Sequence, residues 1–372
     1  MNSKTSRRGF IAGLTAASLV SPRSRARAAE TAADWQAGAP PKWGEIMKAA
    51  QAEGQLTVAA FPLLADKMTE AFAKDTGIHI NFLGGKTFER SARLEAEARA
   101  KNMTIDVLIG GGQELGFMMH NGLLNPVAPQ LMLPGVAPRN FRGGEVAWMD
   151  DAHQYNLIGA EYVFGWLIVN KDIVDPAEIK SWKSLLDPKF RGKIAAFDPR
   201  SPGPGQGAIA WIYNAFGLDF IKELFIGQNV TYTVDDRGLV EDVVRGTHPI
   251  AFGAIQIEVE RFKKAGFPSL EVVLPADGPG YLTSGFSVLK QAVGVPHPNA
   301  ATVFINWYVS RPGQEVYESV MMETSRRTDV HTGIPDYLVP KPGVKYYDQD
   351  TETEYNSRKP VVALITDALG KR

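Results

Sequence analysis

The stretch Asp198-Pro199-Arg200-Ser201-Pro202-Gly203-Pro204-Gly205 has the residue types that grip an anion without reacting with it. Gly203 lets the backbone approach a ligand closely. The run leads into a long helical pattern, and a helix start presents unpaired N–H groups and a partial positive charge. Ser201 can donate a hydrogen bond, and the Arg200 guanidinium can fork onto a carboxylate or phosphate. Helix capping, with Arg200 paired to Asp198, uses the same residues. Gly84-Gly85-Lys86-Thr87 repeats the pattern, with Gly85 in a backbone nest and Lys86 beside it as a cation. In Gly110-Gly111-Gly112-Gln113, Gly111 and Gly112 leave room for a ligand and Gln113 offers an amide. This is not the dinucleotide fingerprint, because position 115 is Leu and no acid follows at the expected distance. Phe61 ends a strand and can form an apolar wall, or pack in the core. Asp235 ends another strand and suits an amine, a hydroxyl-rich ligand or the cap of the next helix.

These groups are positioned by alternating elements. Strands are predicted at Leu56–Phe61, His79–Leu83 and Ile105–Ile109, with helices at Ala65–Asp75 and Thr87–Lys101 between them. A second series starts after Asp151. It has a long β-rich run at Tyr162–Asn170, strands at Lys193–Phe197, Asn229–Val234, Pro249–Phe252 and Leu270–Leu274, and helices between these. Such alternation means parallel β-α-β units, hence an α/β fold. Two series joined by extended runs predict two lobes, each a sheet flanked by helices, with a cleft between them. In open α/β sheets ligands bind beyond the carboxyl ends of the strands, where the loops above fall. The Pro- and Tyr-rich tail at 335–360 reads as an irregular wrap before a last helix at Val361–Leu369.

Forty Lys and Arg against 41 Asp and Glu argue against a nucleic-acid binder. With no Cys, disulfides, thiolate metal sites and Cys nucleophiles are excluded. The six His are scattered without metal-ligand spacing. There is no G-x-S-x-G elbow, P-loop or H-E-x-x-H, so neither an enzyme nor a cofactor is expected. Residues 1–28 hold Arg7-Arg8, an apolar stretch at Ile11–Val20 and Ala26-Arg27-Ala28, with six basic residues and no acid. That is the layout of a twin-arginine export signal with its cleavage pattern. Its removal leaves a net charge of about −7 and predicts a chain free in a bacterial periplasm.

Several longer stretches are similar to one family. They are G-Q-L-T-V-A-A-F-P at 54, I-D-V-L-I-G-G-G at 105, W-K-S-L-L-D-P-K-F-R-G-K-I-A-A-F-D-P-R-S-P-G-P-G at 182, and P-H-P-N-A-A-T-V-F-I-N-W-Y-V-S-R-P-G-Q-E at 296. Together they resemble type 2 periplasmic substrate-binding proteins of ABC importers, in the branch that binds ferric iron, organic anions and phosphorylated sugars. The resemblance implies a Venus-flytrap protein: residues 29–160 plus 286–372 in lobe 1, 161–285 in lobe 2, and hinge strands near Tyr162–Asn170 and Ser284–Leu289. Trp166 and Tyr281, at that hinge, can stack on a ligand or be buried as core. Ferric-binding relatives place a Tyr-Tyr pair where this chain reads Ala254-Ile255-Gln256-Ile257, which counts against iron and makes Gln256 a candidate contact. The implied partners are a small, anionic organic solute and an inner-membrane ABC permease, and a monomer is expected. The alternatives are a ferric-iron carrier, a secreted enzyme on the same fold, and a partner that presents its ligand to a receptor.

Overall fold

The computed structural model describes residues 34–370 except 86, 113–117, 120, 202 and 279. The export-signal pattern therefore lies outside the described residues, as do Lys86 and Gln113. Two main sheets stand apart, each with its own hydrophobic core. The first has the order His79–Leu83, Gln55–Ala59, Val107–Gly110, Val288–Ala292, Leu157–Ile158, Ala147–Trp148, and Leu124–Asn125 also pairs with Val288–Ala292. The second has the order Thr231–Thr233, Ile194–Phe197, Ile250–Phe252, Leu167–Asn170, Leu270–Val273. In each sheet the first three strands are parallel and the next neighbour runs against them. Val107–Gly110 and Ile194–Phe197 are buried at every position, as expected of strands covered on both faces.

Helices start and stop where the local chemistry requires. Ala65–Thr76 ends at Gly77, whose φ of 76° supplies the left-handed cap that other residues resist. Pro41–Glu53 and Pro204–Lys222 open on Pro, whose missing N–H would have no partner there. Trp43, Phe72, Phe304 and Trp307 fill the first core; Trp182, Trp211 and Phe252 fill the second.

Between the lobes lies a third, small sheet, Thr324–Ser325, Ala160–Phe164, Tyr281–Thr283, Tyr347–Asp348. Here the chain crosses from one lobe to the other. The β-rich run at 162–170 is two strands rather than one. It breaks at Gly165, whose φ of 98° turns the backbone from the crossing sheet into the second lobe. Gly280, on the returning pass, has a φ of 85°, and a Cβ there would run into the Phe164 carbonyl.

The tail departs from its expected place. The last helix begins at Glu352, nine residues before Val361, with the Thr351 hydroxyl accepting from the Glu354 N–H. It packs on Pro204–Lys222, and Leu338 and Ile365 are buried in the second core rather than the first. Ile365 finds an apolar seat there that no sequence period could indicate.

Two glycine substitutions should act in opposite directions in urea unfolding. Gly280→Ala should cost about 1–3 kcal/mol through strain and collision at the crossing. Gly44→Ala, exposed inside Pro41–Glu53 with nothing within 4 Å of the added methyl, should stabilise by about 0.5–1 kcal/mol.

Candidate functional site

A cavity of about 80 Å³ sits where the two lobes, the crossing strands and the tail meet. The first lobe contributes Gly111, Gly112 and Phe286, and the second contributes Gly203, Pro204, Gly207 and Ile255. The crossing strands add Tyr162, Phe164, Tyr281 and Thr283. Gln349, Asp350 and Arg358 close it from the tail. The loops after Val107–Gly110, Ile194–Phe197 and Ile250–Phe252, at the carboxyl ends of parallel strands, meet here.

The glycines are required by space. A Cβ on Gly111 would lie 2.9 Å from the Gly285 carbonyl oxygen, and one on Gly112 2.7 Å from the Met149 methyl. A Cβ on Gly207 would come within 3.1 Å of the Gln349 amide and 3.3 Å of the Tyr281 hydroxyl. Gly205 serves the fold instead, because its Cα rests against the Asp198 carbonyl, 2.5 Å from an added Cβ.

The ionisable groups around the cavity are buried. Burial pushes the Tyr162 and Tyr281 phenols well above their ordinary range, so they are neutral hydroxyls. Burial also raises Asp350, whose carboxylate accepts the Ser284 N–H. Glu323 lies beneath the loop at Gly285 and is fully buried. Desolvation pushes it up to about 8, although the Tyr317 hydroxyl and the Phe286 N–H both donate to it. Among the described residues, Ser201 Oγ, Ser284 Oγ, Gln349 Oε1 and Arg358 Nε are buried without a hydrogen-bond partner.

Of the residues singled out in the sequence, Gly111, Gly112, Gly203 and Tyr281 come together at this cavity. Ser201 is buried just before it. Arg200 does not line it. Its guanidinium is bidentate on Asp198, at 2.9 and 3.0 Å, lies over the Tyr232 ring and donates to the Gly370 carbonyl. The hydrogen bond to Asp198 raises its pKa further. Phe61 stacks on Phe286 at 4.7 Å, one ring behind the wall. Trp166 is core, donating its indole N–H to the Val163 carbonyl. Asp235 caps Asp236–Arg245 by accepting the Arg237 N–H. Gln256 is fully buried and donates to the Met321 carbonyl, one residue beyond Ile255. The Gly85 carbonyl accepts from Arg90, away from the cavity.

Sequence reasoning missed Tyr162, Gly207, Phe286 and the three tail residues. Gly207 falls two residues beyond the glycine-bearing loop, and Phe286 lies inside the expected hinge strand, so both had a signal nearby. The tail residues had none beyond the wrap-around composition. Among the described residues no group of three His, Asp or Glu side chains is placed to hold a metal, and no helix is long and apolar enough to cross a membrane.

Residues 67–330 match the bacterial extracellular solute-binding proteins, and the chain belongs to that family. A putative 2-aminoethylphosphonate-binding periplasmic protein of Salmonella typhi is 23% identical, over 70% of this chain and 73% of its own. Among solved structures, the ferric binding protein from Campylobacter jejuni superposes with a TM-score of 0.67 at 19% identity, over 86% of this chain and 99% of its own. The periplasmic binding protein AfuA from Actinobacillus pleuropneumoniae, with fructose-6-phosphate bound, does so with 0.64 at 22%, over 86% and 98%. The fold is that of a two-lobed periplasmic binding protein, and the chain is a solute-binding protein of the kind that serves ABC import.

Glu323 makes stability depend on pH. Its folded pKa of about 8 lies above its ordinary 4.5, so its contribution is full below 4.5 and is lost as pH rises towards 8. Glu323→Gln should remove that loss. Relative to wild type, the variant should gain stability between pH 5 and 8 by up to about 1.4 kcal/mol per pH unit, as read by urea unfolding at several pH values.

Proposed function

We propose that this chain captures a small anionic organic solute, carboxylate or phosphorylated, in the interlobe cavity, and that lobe closure presents it to an ABC permease of the inner membrane. The export pattern at residues 1–28 supports a periplasmic site of action. The observation that carries the reading is the convergence of Gly111–Gly112 with the start of Pro204–Lys222 across one cavity walled by neutral phenols. Backbone N–H groups at a helix start favour negative charge. Closure excludes water and strengthens each polar interaction, and those that form only in the closed state shift the population towards it. Of the proteins compared above, one is named for a phosphonate and one holds a sugar phosphate, while the third is named for ferric iron.

Fe(III) is the second reading. Tyr162, Tyr281 and Asp350 place hard oxygen donors around the same cavity.

A thermal-shift and calorimetric screen of residues 29–372 tests both. 2-Aminoethylphosphonate, fructose 6-phosphate or a dicarboxylate should raise Tm and bind, by mass action on the folded state. Stabilisation by neutral sugars alone would contradict the anion reading, and a visible charge-transfer band on adding Fe(III) would favour iron. Gly207→Leu places a side chain in the cavity and should weaken binding at least ~10-fold, about 1.4 kcal/mol; an unchanged Kd would place the ligand elsewhere.

A further inference from the structure

The family match ends at residue 330, yet the ligand cavity does not. Beyond it, Tyr347–Asp348 adds a parallel strand to the crossing strand Tyr281–Thr283. Asp350 then accepts the Ser284 N–H, and Glu352–Leu369 lies along Pro204–Lys222. The same segment reaches the first lobe, where Glu352 accepts the Asp151 N–H at 2.9 Å and Tyr355 packs with Met149. The tail thus spans both lobes and walls the cavity between them.

Arg358 is the cation it brings there. The residue is only 8% exposed and lines the cavity with Gly203, Pro204 and Gly207. Its Nη2 donates to the Gln349 carbonyl at 2.9 Å, while its Nε is buried with no partner among the described residues. A buried guanidinium N–H left unmatched carries a large desolvation penalty, which an incoming oxyanion relieves. Asp350 shares the cavity and its carboxylate accepts the Ser284 N–H; burial raises its pKa while the Arg358 charge pulls it back, and no hydrogen bond joins it to the Arg358 Nε. Arg200, the cation expected to serve the site, is held by Asp198.

We propose that the C-terminal segment after residue 330 is a wall of the ligand site, and that Arg358 on it receives the oxyanion of the solute together with the start of Pro204–Lys222. This rests on the anion reading above. It adds that selectivity for an oxyanion resides in a segment outside the matched residues 67–330.

The test is calorimetry on the full mature chain with three probes, methylphosphonate, inorganic phosphate and succinate, which distinguish the sources of the oxyanion. Arg358→Gln should weaken the probe that wild type binds by ~10–100-fold, a charge-assisted contact's share, with Tm in the absence of probe near wild type. Arg358→Lys, which keeps the charge and loses the fork, should fall between. Equal or tighter binding by Arg358→Gln would overturn the proposal, and tighter binding would make the tail a plug. Wild type that binds none of the probes but takes a neutral solute would instead sink the anion reading itself. Should Arg358→Gln fail to fold, the Arg Nε resonances of 15N-labelled wild type carry the test. The Arg358 signal must shift on saturation with the bound probe, and an unmoved signal would overturn the assignment.

Discussion

The structure depends on one antiparallel ladder, in which Tyr162, Val163 and Phe164 face Thr283, Leu282 and Tyr281. These are the outgoing and returning passes of the chain between the two main sheets. They pair with each other, and their outer edges pair with Thr324–Ser325 and Tyr347–Asp348, so the crossing is a hydrogen-bonded sheet and not a loose linker. Gly165 and Gly280 sit at its second-lobe edge with positive φ, and the turn between joint and lobe is made there. Everything functional follows from that placement. The loops after Val107–Gly110, Ile194–Phe197 and Ile250–Phe252 meet across the joint, and the space left between is the cavity.

Within that space the chain uses backbone and hydroxyls in preference to free charge. Glycines bring the backbone close at Gly111, Gly112 and Gly207; an added methyl would strike backbone at Gly111, the mobile end of Met149 at Gly112, and crowd Gln349 and Tyr281 at Gly207. Burial holds the phenols neutral and raises the nearby carboxyls, which lowers the repulsion an anion meets on entering. Arg200 illustrates the opposite outcome: a bidentate partner two residues away in sequence outcompetes a distant ligand, because little chain entropy is lost in forming that pair.

Much of this was legible in the residues. The β/α alternation and the two series could be read because parallel strands and amphipathic helices leave strong local patterns. The glycines at 111, 112 and 203 were legible because few other roles explain such clusters after strands. Three features escaped. Whether Arg200 faces Asp198 or the cleft is a rotamer choice, and sequence spacing allows both. Trp166 as core and Asp235 as cap look the same in sequence as a stacking ring and a binding carboxylate. The tail was the largest omission. Asp350 meets Ser284 across 66 positions, and Ile365 packs in the second core, most of which comes from residues 162–281, with no periodic signal to announce either contact.

The central claim is that two lobes, joined at the paired crossing strands, draw together on a solute held between them. Because the chain contains no Cys, a clean pair of spin labels can be introduced at Leu63 and Val234, both exposed and each following a strand that points at the cavity. Pulsed electron-spin distance measurement, with and without the solute that raises Tm, should show the distribution between them move to shorter distance and narrow. The same distribution in both conditions, with the solute bound, would contradict the account.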